Sequence, residues 1–239
     1  MDEANTSTNN SPNIGQKQLA GAIIIAGVLV AGAILLKGSS LPINTKTEKE
    51  SIAKIVGLNE KSFQICLESK KFEDKVQADA SDGLAAGVKG TPYFFILKNG
   101  KVVERVQGYV SFDEVIVKIN EAKNNTKIPI TANIRPIATD EHLFGNPDAE
   151  IVIVEYSDLE CPYCKMFHEV MHQVVAEEGG EVAWIYRHFP MPSLHPMAFL
   201  EAEATECAWE QGSNEAFWKY TDKLFEITPS NNGLQRSQL

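Results

Sequence analysis

Two cysteines separated by two residues stand between two contrasting sequence patterns. The run Ile151–Tyr156 (IVIVEY) is typical of a buried central strand, and a helical pattern extends from about Pro162 to Glu178. Cys161 therefore falls where a helix begins. Unpaired N–H groups and the helix dipole stabilise an anion there, which lowers the pKa of a thiol below its free value of about 8.5. The motif Cys161-Pro162-Tyr163-Cys164 predicts a reactive thiolate at Cys161 and a less exposed resolving thiol at Cys164, with Pro162 suited to the first helical turn.

A zinc site is the main alternative for the same cysteines. His168 and His172 continue the helix and complete the spacing C-x2-C-x3-H-x3-H. Structural zinc sites usually take their second ligand pair from a separate element, so we favour the redox-active dithiol. We therefore expect no metal and no cofactor, and we assign the two histidines to the helix surface or to packing.

Two other segments are candidates for the same site. Glu155 lies on the strand six residues before Cys161. It is placed to accept the proton of Cys164 when a mixed disulfide resolves, although an ordinary strand-end acid is the alternative. Thr91-Pro92 directly precedes the apolar strand YFFIL, which suggests a constrained, cis peptide bond. The backbone of Thr91 would then pair with a substrate segment as an added strand does.

The composition is that of a folded protein that does not bind nucleic acid through a broad basic surface. Hydrophobic residues make up 44% of the 239 residues, and 32 acidic residues outnumber 22 basic ones. Strand–helix–strand patterning around the cysteines predicts a parallel βαβ unit. Asn99-Gly100 separates two strand-like runs and predicts a β-hairpin. Together these patterns indicate an α/β fold.

An apolar run near the start of the chain predicts a membrane anchor. Residues 19–36 (LAGAIIIAGVLVAGAILL) contain no charge and no proline, and 18 residues of helix span about 27 Å, close to the roughly 30 Å of a hydrocarbon core. A cleaved signal peptide is the alternative. Residues 1–18 are predicted to be a disordered tail, residues 37–50 a linker, and residues 51–239 one globular domain.

These residues and motifs resemble the DsbA-like thiol–disulfide oxidoreductases, a thioredoxin-fold family with an inserted helical subdomain. The resemblance runs over HLFGNPDAEIVIVEYSDLECPYCKMFHEVM, over VAWIYRHFPMPSLHPMAFLEAEATECAWEQGSNEAFWKYTDKLFE, and over GVKGTPYFFILKNGKVVERVQGYVSFDEVIVKI. It implies Cys161 as nucleophile, Cys164 as resolving thiol, Glu155 as buried acid and Thr91-Pro92 as the cis-proline loop.

The two halves of this resemblance occur in reversed order. Residues 51–122 resemble the family's C-terminal half and residues 134–239 its N-terminal half. The chain is therefore similar to a circularly permuted member, which is tolerable when the new ends fall in a surface loop. A rearranged reading frame and domain swapping between neighbouring chains are the alternatives. We expect that one chain closes its own sheet.

The remaining cysteines, Cys66 and Cys207, each fall in a helix of the expected helical subdomain. In an oxidising compartment they are candidates for a structural disulfide, worth up to about 5 kcal/mol for so long a loop. Two separate buried thiols are the alternative.

Together these features predict a single-pass membrane protein whose catalytic domain lies outside the cytoplasm. We expect it to introduce disulfides into exported polypeptides that are reduced or misoxidised, and, by family resemblance, to be reoxidised by a quinone-linked membrane partner. Disulfide isomerisation or reduction is the alternative within the family. A membrane-tethered module that holds peptides without thiol chemistry is the alternative from another class.

Overall fold

A computed structural model describes residues 50–124 and 128–239. The predicted tail (1–18), anchor (19–36) and nearly all of the linker (37–50) lie outside these ranges. Within them, no helix combines the length and the apolar character that a membrane crossing requires. The described domain is a mixed α/β fold in which helices flank a five-stranded sheet.

Six α-helices and five β-strands make up the domain. The helices are α1 (Ile52–Ile55), α2 (Glu60–Ser69), α3 (Glu73–Ala86), α4 (Phe112–Lys123), α5 (Pro162–Glu177) and α6 (Ala198–Ile227). The strands are β1 (Tyr93–Lys98), β2 (Lys101–Gln107), β3 (His142–Gly145), β4 (Ile151–Ser157) and β5 (Val182–His188). A 3-10 turn spans Arg236–Gln238.

The sheet has the strand order β2-β1-β4-β5-β3. Strands β4 and β5, which precede and follow α5 in the chain, are parallel neighbours in the sheet, as the sequence predicts. The other neighbouring pairs are antiparallel. Asn99 and Gly100 both have positive φ, which suits the tight turn joining β1 to β2. Strand β1 from the first half pairs with β4 from the second, from Tyr93 opposite Tyr156 to Lys98 opposite Ile151. One chain therefore closes its own sheet.

Two apolar clusters cover the two faces of the sheet. On one face, side chains of α4, α5 and α6 pack against β4 and β5. On the other face, α3 and the connector around Ile134 cover Phe95 and Tyr156. Gly83 permits this second contact, because a Cβ there would lie 2.7 Å from the Phe189 ring and 2.9 Å from the Tyr156 ring. Helix α3 runs through Gly83 and ends before Gly87, its left-handed C-cap residue, and the left-handed residue Lys70 ends the preceding helix α2.

Cys66 of α2 and Cys207 of α6 form a disulfide with their Cα atoms 5.8 Å apart. The bond joins a helix of the first half of the domain to a helix of the second half. Cys161 and Cys164 are free thiols. In the folded chain under mild reduction, we expect a thiol-alkylating reagent to modify Cys161 first and to leave Cys66 and Cys207 unmodified. Labelling of all four cysteines in the folded, non-reduced protein would contradict this disulfide.

Candidate redox-active site

The two free cysteines lie at the first turn of α5. Cys161 is the N-cap residue, with extended backbone angles, and Pro162 follows at the first helical position. Cys161 is 5% exposed and Cys164 is fully buried, whereas Tyr163 between them is more than half exposed. The first turn of the helix therefore leaves a small part of Cys161 in contact with solvent and buries Cys164 completely.

The surroundings drive the pKa values of the two thiols apart. A hydrogen bond from the Cys164 thiol lowers the pKa of Cys161 to about 6, against the opposing effect of burial, and contacts with Thr91 and the first-turn backbone add to the lowering. Burial raises the pKa of Cys164 well above its ordinary value. At neutral pH, Cys161 is a thiolate and Cys164 a thiol, which are the states that a nucleophile and a resolving residue require.

The loop that contains Thr91 and Pro92 lies against the Cys161 sulfur. The Thr91–Pro92 peptide bond is cis, and the Cys161 Sγ atom lies 3.6 Å from the carbonyl oxygen of Thr91. The loop leads directly into β1, whose pairing with β4 fixes its position beside the cysteines. The structure thus brings together two motifs that are 70 residues apart in the chain.

Glu155 lies beneath this pair, on the central strand β4. It is fully buried, and its Oε2 atom accepts a hydrogen bond of 2.9 Å from the indole N–H of Trp184. Burial raises the pKa of Glu155 to about 8, although hydrogen bonds from Ser157 and Trp184 oppose the shift. Its charge in turn contributes to the raised pKa of Cys164. A carboxyl group with this pKa can exchange a proton with Cys164 near neutral pH.

Replacing Glu155 with glutamine is expected to flatten the pH dependence of stability of the reduced protein. The folded wild type keeps the proton up to about pH 8, while an unfolded glutamate releases it near pH 4.3. The free energy of unfolding should therefore fall by up to about 5 kcal/mol as the pH rises between these values. Urea denaturation of both proteins at about pH 5 and about pH 8.5 measures this slope. Equal slopes would contradict the assignment of a buried ionisable acid.

Asp158 and His195 form a further part of the site that sequence reasoning missed. Asp158 Oδ2 lies 2.9 Å from His195 Nδ1 and accepts a 2.8 Å hydrogen bond from the Met191 N–H. Both side chains are buried. Burial lowers the pKa of His195, but Asp158 and the nearby charge of Cys161 outweigh it and raise the pKa overall. No local spacing signals this pair, because 37 residues separate its members.

Replacing His195 with alanine is expected to raise the pKa of Cys161 by about one unit, because a protonated imidazole near a thiolate stabilises it. The ultraviolet absorbance of the thiolate, followed against pH, measures this shift. The neighbouring variant Leu194→Ala, at an exposed apolar residue, serves as the control and should leave the pKa unchanged. An unchanged thiol pKa in His195→Ala would show that the histidine acts on packing alone.

His168 and His172 do not approach the cysteines as ligands. Their Nε2 atoms lie 2.7 and 2.8 Å from one oxygen of Asp222 on α6. Among the described residues, each set of side chains that could hold a metal ion lacks both Cys161 and Cys164. The geometry therefore does not favour the zinc alternative for the CxxC motif.

Part of the chain is similar to known proteins. Residues 138–235 match the family model described as Thioredoxin. A protein named Na(+)/H(+) antiporter NhaA 1 from Mycolicibacterium gilvum is 41% identical over 93 residues, which are 38% of this chain and 15% of that protein. Na(+)/H(+) antiporter NhaA 3 from Salinispora tropica is 38% identical over 95 residues, 14% of its length. These relatives match only the thioredoxin part, and the chain spans a small fraction of their length.

Solved structures of DsbA proteins are also similar over part of the chain. Pseudomonas aeruginosa DsbA2 shares 32% identity at a TM-score of 0.38, covering 41% of this chain and 54% of that one. Wolbachia pipientis alpha-DsbA1 shares 24% identity at a TM-score of 0.31, covering 38% and 44%.

The sheet, the helix that starts at Cys161 and the proline loop beside it define a thioredoxin-like fold with a dithiol site. Residues 138–235 are similar to thioredoxin-family proteins, and Cys161 and Cys164 lie within this matched segment.

Proposed function

We propose that this chain introduces disulfides into exported proteins through the Cys161–Cys164 pair. The observation that carries the proposal is the opposed shift of the two thiol pKa values, to about 6 at Cys161 and upward at Cys164. A stabilised thiolate favours the reduced form of the enzyme and so makes its disulfide a better oxidant. Relative to an ordinary thiol, the lowering of the pKa to about 6 stabilises the reduced form of Cys161 at neutral pH and so raises the reduction potential of the pair.

The reaction begins with the oxidised enzyme. A substrate thiolate attacks Cys161 Sγ, the Cys161–Cys164 bond breaks, and Cys164 leaves as a thiolate that takes a proton from Glu155. A second substrate thiolate then attacks the substrate sulfur of the mixed disulfide, and Cys161 leaves as a stabilised thiolate. Two electrons pass from substrate to enzyme. A quinone-linked membrane protein, as the family resemblance implies, would remove them.

Substrate binding would use the surface around Cys161. The exposed side chains of Tyr163, Met166 and Leu194 provide apolar area on and near the first turns of α5 and beside His195. The Thr91 backbone would pair with an extended substrate segment, as in strand addition. Reduced or misoxidised polypeptides fit this surface because they expose both apolar side chains and thiols.

Oxidation of a reduced, unfolded substrate protein tests the direction of the reaction. One equivalent of the oxidised chain should convert two substrate thiols to a disulfide, and Cys161→Ser should not. Faster reduction of a substrate disulfide than oxidation of a dithiol would instead favour the reductase or isomerase alternative. Peptide holding by Cys161→Ser at the wild-type level, together with no redox transfer by the wild type, would favour the binding module.

The proposed location is the outer side of a membrane, anchored by residues 19–36. The support is the uninterrupted apolar run of the sequence and the presence of a disulfide between Cys66 and Cys207, a bond typical of oxidising compartments. A membrane-impermeant thiol reagent should label Cys161 in intact cells after mild reduction. Labelling only after lysis would contradict this orientation.

We also propose that the two halves of the domain occur in permuted order. Two observations support this proposal. The sheet is completed by β1 of the first half against β4 of the second, and the carbonyl oxygen of Leu239 accepts a 3.2 Å hydrogen bond from the N–H of Ala53. A chain rebuilt with residues 134–239 before residues 51–122 should fold with the same disulfide and the same thiol pKa. Loss of either property in the rebuilt chain would contradict the proposal.

A further inference from the structure

We propose that His168, His172 and Asp222 form a binding site for one divalent transition-metal ion, with zinc as the best chemical fit. The site lies between α5 and α6 and does not include Cys161 or Cys164. The proposal does not depend on the redox function.

Three ligand atoms of the right kind converge at this point. His168 and His172 are one helical turn apart on α5, so their rings project from the same face. Their Nε2 atoms lie 3.2 Å from each other and 2.7 and 2.8 Å from Asp222 Oδ1. In a tetrahedral zinc site with bonds of about 2.0–2.1 Å, neighbouring ligand atoms are about 3.3 Å apart. Small side-chain rotations would therefore admit the ion.

The two imidazole rings are held in place by aromatic packing. The His168 ring centre lies 4.6 Å from that of Phe225 and 5.1 Å from that of Trp184. The His172 ring centre lies 4.5 Å from that of Phe144. His168 is buried, and Asp222 is partly exposed at the rim. Such packing fixes the ligands before the ion arrives, which reduces the entropy lost on binding.

An ion at this point would have access to solvent and a favourable charge environment. The three residues line a surface cavity of about 440 Å³, which Glu169 and Glu226 also line. Lys165 is the one cation in the described lining, and its ammonium group is bound to the carbonyl oxygens of Glu226 and Thr228. Because Glu226 is paired with Lys223 at 2.7 Å, the attraction for a cation comes mainly from Asp222 and Glu169. Water entering the cavity can supply the fourth ligand, as in open zinc sites.

A second cluster of similar composition lacks these properties. His142 and His188 meet Glu206 in the interior, where all three side chains are buried. Lys75 Nζ lies 3.3 Å from the same Glu206 oxygen that the two histidines contact. Because an ammonium group already supplies positive charge there, we assign this cluster to structure and the solvent-facing cluster to metal binding.

Metal titration of the untagged full chain tests the proposal. The Cys161→Ser/Cys164→Ser variant is used so that thiols cannot bind the ion, and bound metal is first removed with a chelator. Cobalt(II) should give the visible absorption of a tetrahedral site with nitrogen and oxygen ligands, and one equivalent of zinc should abolish it. Cobalt should also quench tryptophan fluorescence, because the Trp184 ring centre lies 5.1 Å and 5.5 Å from those of the two histidines.

Variants of each ligand decide the outcome. His172→Gln and Asp222→Asn, both at partly exposed side chains, should weaken metal binding at least about tenfold. The control Glu177→Gln, on the same helix but outside the cluster, should leave it unchanged, and circular dichroism confirms that each variant is folded. Absence of cobalt binding by the parent protein, or equal affinity in the parent and both ligand variants, would overturn the proposal.

Discussion

Replacing Cys164 with serine is expected to trap the chain in mixed disulfides with its substrates, and replacing Cys161 is expected to abolish exchange. The structure explains the asymmetry, because Cys161 has the lowered pKa and a small exposed fraction, while Cys164 is fully buried with a raised pKa. Without Cys164, no internal thiol can release the substrate. Without Cys161, the remaining thiol is protonated and inaccessible at neutral pH.

Non-reducing electrophoresis of Cys164→Ser after mixing with a substrate protein should show adducts that a reductant dissolves. The single variant Cys161→Ser should give no adducts and no thiol–disulfide exchange above the background without protein. A matched control is Cys66→Ala/Cys207→Ala, which removes two cysteines remote in sequence from the motif and should still exchange. Adducts through Cys164 in Cys161→Ser would reverse the two roles.

Replacing Arg187 with leucine is expected to lower the free energy of unfolding by about 3–5 kcal/mol. The guanidinium group is fully buried. It contacts Glu141 at 2.6 Å, Asp82 at 2.8 Å and the hydroxyl of Tyr156 at 3.0 Å. Removal of the guanidinium group would leave Asp82 and Glu141, each under 10% exposed, without their main buried partner. The two carboxylates would then keep the cost of their own desolvation without the compensating ion pairs.

Urea denaturation of the variant and the wild type measures this loss. Arg187→Lys should be intermediate, because an ammonium group keeps the charge but cannot form the paired contacts of a guanidinium group. The control Lys71→Ala, at an ion pair with Glu210 in which both side chains are at least 40% exposed, should change stability by less than about 1 kcal/mol. An equal decrease in the free energy of unfolding in Lys71→Ala and in Arg187→Leu would contradict the claim that burial makes the Arg187 ion pairs important for stability.

The parts of the site that the sequence could predict are those with local signals. The CxxC motif lies between a strand pattern and a helix pattern, so Cys161 could be placed at a helix start without knowing the fold. Glu155 lies on a recognisable strand, and Thr91-Pro92 directly precedes another. The hairpin at Asn99-Gly100 follows from turn chemistry alone.

The parts that could not be predicted depend on contacts between distant segments. Strand β3 has four residues, too few for an alternation pattern to stand out. Arg187 contacts Asp82, from which 105 positions of the chain separate it. Asp158 follows β4 and His195 lies after β5, and the two residues come together because these parallel strands end at the same edge of the sheet. His168 and His172 are visible as a helical pair, but Asp222 comes from another helix. Pairing of Cys66 with Cys207 stayed open in the sequence for the same reason.

Titration of the full chain in glutathione buffers tests whether Cys161 and Cys164 form an oxidising redox pair. The oxidation state of Cys161 and Cys164 is read by alkylation and mass at each potential. We predict one reversible two-electron transition at roughly −120 to −180 mV, which lies in the range of disulfide-forming and disulfide-isomerising proteins. A transition near −270 mV, the thioredoxin value, would contradict the proposed direction, and the absence of any reversible transition would contradict the redox role itself.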